Sequence, residues 1–270
     1  MLRWLRRGAL LFVGLSAAFV AGVILRLPVC LPFDYACNLG PTVVAPELAA
    51  PEDGRTRVVF CVHGLWRTSE SLDRMARSLA AAGYDVVNVD YPSTEDRMAG
   101  HGARLRDLVE ARFAAGHVDE VSFVGHSMGG LVIQEYLRRA DARTPQACVY
   151  VATPHRGAIL ADKRRHWFLF RWAMGDLAAG QLRTTAPLHA APIPYPDRSG
   201  TIAGDIGAGN AAIPGPDDGT VGVSEATFVG AAEAVVVPFG HTSIKLRERT
   251  IRLVLQFLRD GSFAGSGRDR

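Results

Sequence analysis

The feature that most limits what this chain can fold into is a rhythm beginning at Arg57. There, short runs of β-branched and other apolar residues alternate with amphipathic stretches. Residues 58–62, 86–90, 121–124 and 147–152 read as strands, and 69–82, 104–115 and 127–139 as helices. The strand runs are apolar at nearly every position, so both of their faces must be covered. Apolar strands each followed by a helix imply an α/β domain with a mostly parallel sheet and helices on both faces. Further strand runs fall at 200–203 and 234–237, and 245–258 reads as a closing helix through Leu246, Ile251, Leu253, Val254, Phe257 and Leu258. Between 157 and 196 the rhythm breaks for about forty residues, too long for an ordinary connection, and this stretch reads as a cap or lid insertion. The domain is therefore placed at 57–260. A Pro-, Ala- and acid-containing linker at 27–56 precedes it, and a tail at 261–270, expected to be disordered, follows.

Composition narrows the class. Of 270 residues, 48% are hydrophobic and 21% charged, which fits a globular chain. The net charge of +3 is not gathered into a basic stripe, and no recognition helix, zinc finger or stacking platform is visible, so nucleic acid is not expected as a partner. Cys61 and Cys148 sit inside apolar runs and read as buried thiols. Cys30 and Cys37 are close enough to pair if their segment lies outside the cytoplasm. No cysteine or histidine spacing resembles a zinc site.

Residues 1–26, MLRWLRRGALLFVGLSAAFVAGVILR, carry an uncharged stretch from 8 to 25. As a helix it would be about 27 Å long, close to the hydrocarbon thickness of a bilayer. Arg3, Arg6 and Arg7 outnumber Arg26, so the N-terminus is expected in the cytoplasm and the remainder on the extracytoplasmic side. The favoured reading is an uncleaved signal anchor, a transmembrane helix. A cleaved signal peptide is the alternative, although Ala18, Ala21 and Gly22 do not make a clean small-x-small site.

The chemistry is carried by Gly125-His126-Ser127-Met128-Gly129, a G-x-S-x-G pentapeptide with an apolar strand before it and an amphipathic helix after it. A serine on so sharp a strand-to-helix turn needs small neighbours, and Gly125 and Gly129 supply them. A serine hydroxyl is a weak nucleophile and requires a base. His126 is expected to point away from the serine, and His101, His117, His166 and His189 read as surface or cap residues. His241 lies after a late strand and before the last helix, where the base of a Ser–Asp–His order falls. The orienting acid is sought between them, in Pro216-Asp217-Asp218-Gly219-Thr220-Val221. Asp218 is chosen because it precedes the glycine; Asp217 is its rival, and Asp205 a weaker one. Two amides are expected to hold the oxyanion, that of Met128 after the serine and that of Leu65 in the turn His63-Gly64-Leu65-Trp66.

In VHGLW (62–66), GHSMGG (125–130), VATPHRG (151–157), DDGTV (217–221) and GHTSI (240–244) the chain resembles the α/β-hydrolase lipases and serine esterases. The motifs fall in family order over roughly 57–257. The resemblance implies an α/β-hydrolase fold and an oxyanion amide at Leu65. It also implies an acid at Asp218, a base at His241, and a lid-leading turn at 153–157. The loop carrying Asp218 is longer and richer in Gly and Pro than the pattern, and the segment after it is not an obvious strand.

Residues 163–172, KRRHWFLFRW, set cations beside clustered aromatics, a composition suited to a lipid–water interface. The expected function is therefore a serine carboxylic-ester hydrolase acting through an acyl-serine intermediate, with a lipase-like acyl-ester substrate and no cofactor or metal. An acyltransferase or a small-ester esterase on the same residues is the alternative, and a non-catalytic membrane-anchored binding protein a more distant one.

Overall fold

In the computed structural model the described residues are 40–44, 53–164 and 176–264. Among them, seven strands make one sheet: β1 (Thr42–Val44), β2 (Arg57–Val62), β3 (Asp85–Val89), β4 (Glu120–His126), β5 (Cys148–Val151), β6 (Ser199–Gly204) and β7 (Glu233–Val237). Their order is β1-β3-β2-β4-β5-β6-β7, with β1 antiparallel to β3 and every other neighbouring pair parallel. The helices are α1 (Asp73–Ala81), α2 (Met98–Ala115), α3 (Met128–Leu137), α4 (Ile159–Arg164), α5 (Asp176–Gln181), α6 (Val223–Ala226) and α7 (Glu248–Asp260).

The uniformly apolar strands are explained by the two cores. Side chains alternate across a strand, so Val58, Phe60 and Val62 of β2 enter the core beneath α2 and α3. Val59 and Cys61 enter the opposite core, with Leu72, Met75 and Leu79 on the α1 side and Ile251, Val254 and Phe257 of α7. Burial pushes the thiols of Cys61 and Cys148 up to about 12, which keeps both protonated. The chain runs from β2 to β3 toward one edge and then returns across β2 to β4. Connections leaving β2 and β4 therefore diverge, opening a crevice at the carboxyl ends of these strands, where ligands of open α/β sheets bind.

Several expectations need revision or restriction. Thr42–Val44, read as linker, forms the edge strand; three residues flanked by prolines are too short to show a period. Helix α2 starts at Met98 rather than 104. The tail is ordered at its start: Phe263 is buried against Phe257, and Glu233 accepts hydrogen bonds from the Phe263 amide and the Ser262 hydroxyl. Residues 1–26, read as a transmembrane helix, and Cys30 and Cys37 lie outside the described residues. Among the described residues no helix is long and apolar enough to cross a membrane. Of the insertion at 157–196, residues 165–175, which hold most of its aromatic cluster, are likewise outside them.

Candidate active site

Ser127 sits between the end of β4 and the start of α3, with φ 55° and ψ −127°. A non-glycine residue there is strained, and such strain persists only where its surroundings over-determine it. The surroundings are visible. The Ser127 amide donates to the Val151 carbonyl at 2.9 Å, and the Ser127 carbonyl accepts from the Gly130 amide at 3.1 Å. A Cβ on Gly129 would stand 2.1 Å from the Val62 carbonyl oxygen, and one on Gly125 would stand 2.6 Å from the Gly130 backbone. The turn can close against β2 only if both positions lack a side chain.

His241 follows β7 through Pro238-Phe239-Gly240 and brings its ring to the serine. Its Nε2 lies 2.9 Å from Ser127 Oγ, and its Nδ1 lies 2.7 Å from Asp218 Oδ2. With Nδ1–H donating to the carboxylate, Nε2 is left as the acceptor for the serine hydroxyl. Asp218 is buried; its other oxygen, Oδ1, accepts from the amides of Thr220 and Val221 at 2.9 and 2.7 Å. The two loops are also bonded directly, the His241 amide donating to the Asp218 carbonyl at 2.9 Å. Asp217 turns elsewhere and accepts from the amides of Asn210 and Gly219. Asp205 caps its own turn by accepting from Gly207. Of the three acids considered, the structure brings Asp218 alone to His241.

Met128 opens α3, so its amide belongs to the turn whose N–H groups lack an intrahelical acceptor. The loop after β2 lies against the serine: a Cβ on Gly64 would be 3.0 Å from Ser127 Cβ. Leu65 follows in that loop and lines the same cavity as Ser127 and His241. The shape of this loop is set by His63, whose Nδ1 bonds the Gly64 carbonyl at 2.8 Å and whose ring stacks on Tyr91. The Tyr91 hydroxyl in turn donates to the His63 carbonyl at 2.8 Å.

A model of the alpha/beta hydrolase family matches residues 58–254, most of the chain and all of the residues just described. This chain belongs to the alpha/beta hydrolase family. Among similar proteins, a probable esterase, PIR7A, of Oryza sativa is 31% identical over 125 residues, which is 42% of this chain and 47% of that protein. A triacylglycerol lipase of Burkholderia plantarii is 28% identical over 142 residues, 49% of this chain and 39% of that one. The chain thus spans about half the length of the curated relatives it matches, or less. Among solved structures, the mature form of Bacillus licheniformis lipase BlEst2 superposes with a TM-score of 0.62 at 22% identity, covering 81% of this chain and 97% of that one, a likeness of fold.

In this alpha/beta hydrolase a cavity of about 310 Å³ opens beside the serine. Leu65, Pro154, Ala158, Leu160, Leu182 and Val221 make its apolar wall, and Arg67 and Arg164 also line it. Three buried groups around the site were missed by sequence reasoning. His126 is buried behind the base: its Nε2 bonds the His241 carbonyl at 3.0 Å. Burial, with the nearby charges of Lys245 and His241, holds its ring well below the usual imidazole range, so Nε2–H donates. The ammonium of buried Lys245 donates to the next carbonyl, that of Thr242, at 2.9 Å. Glu225 accepts from the amides of Gly222 and Ile159, both at 2.6 Å, and so ties the acid loop to the first turn of α4. Burial raises its carboxyl above the usual range. Position within GHSMG was the available signal for His126; Lys245 and Glu225 carried none, since charged residues at such spacings usually face solvent. His101, read as a surface or cap residue, is buried edge-on against Tyr91.

Proposed function

We propose that this protein is a serine carboxylic-ester hydrolase working through an acyl-serine intermediate. Ser127 is the nucleophile, His241 the base and Asp218 the acid that fixes the imidazole. As Ser127 Oγ attacks the ester carbonyl carbon, its proton passes to His241 Nε2, and Asp218 stabilises the imidazolium. The carbonyl oxygen becomes an oxyanion held by the amides of Leu65 and Met128, next to the positive end of α3. The alcohol departs with the proton from Nε2; water, deprotonated by the same nitrogen, then releases the acid and restores the serine. The observation that carries this reading is the unbroken Ser127–His241–Asp218 chain of hydrogen bonds at the mouth of an apolar cavity.

The substrate in this reading is an amphiphilic, lipase-like acyl ester, admitted past the insertion at 157–196 acting as a lid. The protein itself is held at the extracytoplasmic face of a membrane by residues 1–26. A short-chain ester is the second reading, favoured by a cavity volume at the lower end of the range of small-molecule sites. Hydrolysis of p-nitrophenyl butyrate and palmitate by the full chain, with Ser127→Ala beside it, tests both. Loss of about 10³-fold or more in kcat on substitution is expected, and the palmitate-to-butyrate ratio separates the two substrates. Equal rates in both proteins would defeat the mechanism. Fractionation of expressing cells tests the anchor, with full-length protein expected in the membrane and a shortened soluble form counting against it.

A further inference from the structure

Two walls of the cavity beside Ser127 come from segments far apart in the chain. One is Ala158, Leu160 and Ala161, at the start of the insertion, with the Leu182 carbonyl accepting from the Ala158 amide at 2.7 Å. The other is Thr220 and Val221, in the loop that carries Asp218. The carboxylate of Glu225 joins them. Its Oε2 accepts from the amide of Gly222, next to Val221, and its Oε1 from the amide of Ile159, between Ala158 and Leu160, both at 2.6 Å. The first bond is an ordinary one. A Glu in the first turn of a helix commonly reaches back to the amide ahead of it, and α6 is capped in this way. That duty needs one oxygen and no burial. The second bond reaches 66 residues along the chain, to the first amide of α4, which has no acceptor in its own helix. The Glu225 carbonyl binds the same segment, accepting from the His155 amide at 2.8 Å. Glu225 is buried, and a carboxylate taken out of water is unfavourable unless its oxygens are firmly bonded. A cap alone does not account for that burial; a fixed span between the two walls does. Another bond from α4 toward this side, from Lys163 to the Ala212 carbonyl, is exposed, where water can replace it.

Resting on the serine-esterase reading above, we infer that Glu225 is a specificity-determining positioning residue. By clasping the Gly222 and Ile159 amides it fixes how far apart the two walls stand, and so how much branching in the ester the cavity admits. Glu225 does not line the cavity itself, so it acts through Val221 on one side and through Ala158 and Leu160 on the other. A carboxylate suits this task because both of its oxygens accept. The side-chain amide of a glutamine would turn its NH₂ toward one of the two N–H groups and leave that end of the clasp open. Small changes in span are enough to matter, since a single methylene in an apolar pocket is worth about 10-fold or more in discrimination.

Two pairs of neutral esters of equal carbon number test this with the full-length protein, below micellar concentrations. One pair varies the acyl side, p-nitrophenyl octanoate against p-nitrophenyl 2-ethylhexanoate. The other varies the alcohol side, 1-octyl acetate against 2-ethylhexyl acetate. Rates are taken per active site titrated with a fluorophosphonate, so a variant that is merely less stable loses sites and keeps its ratios. The wild-type protein is expected to prefer the straight member of at least one pair. In Glu225→Gln that preference should shrink about threefold or more, through a lower KM for the branched member. Ile159→Pro should act alike, since it removes the donor at the other end of the clasp, at a first helical position where proline is accommodated. Where one variant does not fold, the other decides. Equal use of both members by the wild type, or variants that keep its ratios, would overturn the inference and leave the serine mechanism standing. If no ester is turned over by a Ser127-dependent route, the mechanism itself fails. The clasp is then decided by calorimetry of Ser127→Ala protein with and without Glu225→Gln, where unchanged relative affinities for the straight and branched esters, or no binding of either, would sink it.

Discussion

Replacing Asp218 and Asp217 in turn separates two neighbouring carboxylates with different duties. Asp218→Asn removes the acceptor that fixes the His241 tautomer, and kcat on a p-nitrophenyl ester is expected to fall by about 10³- to 10⁴-fold with a smaller change in KM. Asp217→Ala leaves the Asn210 and Gly219 amides without their acceptor, so its cost should appear as roughly 1–3 kcal/mol of stability in urea titration. A larger loss of kcat from Asp217→Ala than from Asp218→Asn would reverse the assignment of the acid. Lys245 offers a residue-scale test by pH. Its ammonium titrates at about 8 in the fold, against an ordinary value of 10.5. Below pH 8 folded and unfolded chains are both protonated. Between about 8 and 10.5 the unfolded chain holds more protons, so stability should rise with pH across that window. In Lys245→Met this rise should be gone; a slope unchanged by the substitution would mean that the ammonium is not desolvated as the structure has it.

At the scale of elements, the turn between β4 and α3 has no room for even one methyl group at Gly129. Gly129→Ala is expected to destabilise the domain by about 1–3 kcal/mol or more and to displace Ser127, read as a lower denaturation midpoint and slower labelling by a fluorophosphonate. Normal labelling in a fully stable variant would show that the turn can relax. The strands after β1 were legible from their apolar runs, and the GHSMG turn because its glycines and flanking periods agree. The first turns of α2 were not legible. Residues 98–103, MAGHGA, contain two glycines that weaken the helical pattern ahead of 104, yet a Cβ on Gly102 would stand 2.9 Å from the Tyr136 amide nitrogen. Close packing against α3 requires the residue that weakens the helix signal, and tertiary contact overrides propensity. Asp218 was legible through its Asp-Gly setting, whereas the inward turn of His126 depends on where the His241 loop passes, a contact 115 residues away in sequence.

For the whole molecule, burial of neutral imidazole sets the response to acid. His101 is pushed down to about 4 and His155 to about 3, chiefly by burial, and His126 is also held low. Unfolded, these rings take up protons near pH 6.5. As pH falls through that value the unfolded chain gains protons that the folded one does not, so stability should decline from about pH 7 toward pH 4. A thermal midpoint that is flat across that range would contradict the burial of these rings. The outermost strand has a different bearing on the behaviour of the protein in solution. The three residues Thr42–Val44 cover the backbone of β3 along one rim of the sheet. A chain started at Asp53 would leave the amides and carbonyls of β3 without that cover, and an open strand edge is a template for another chain. Compared with a chain started at Gly40, one started at Asp53 should self-associate more strongly with rising concentration, visible by light scattering. Strand β1 would then matter less for the chemistry of the domain than for keeping its copies apart.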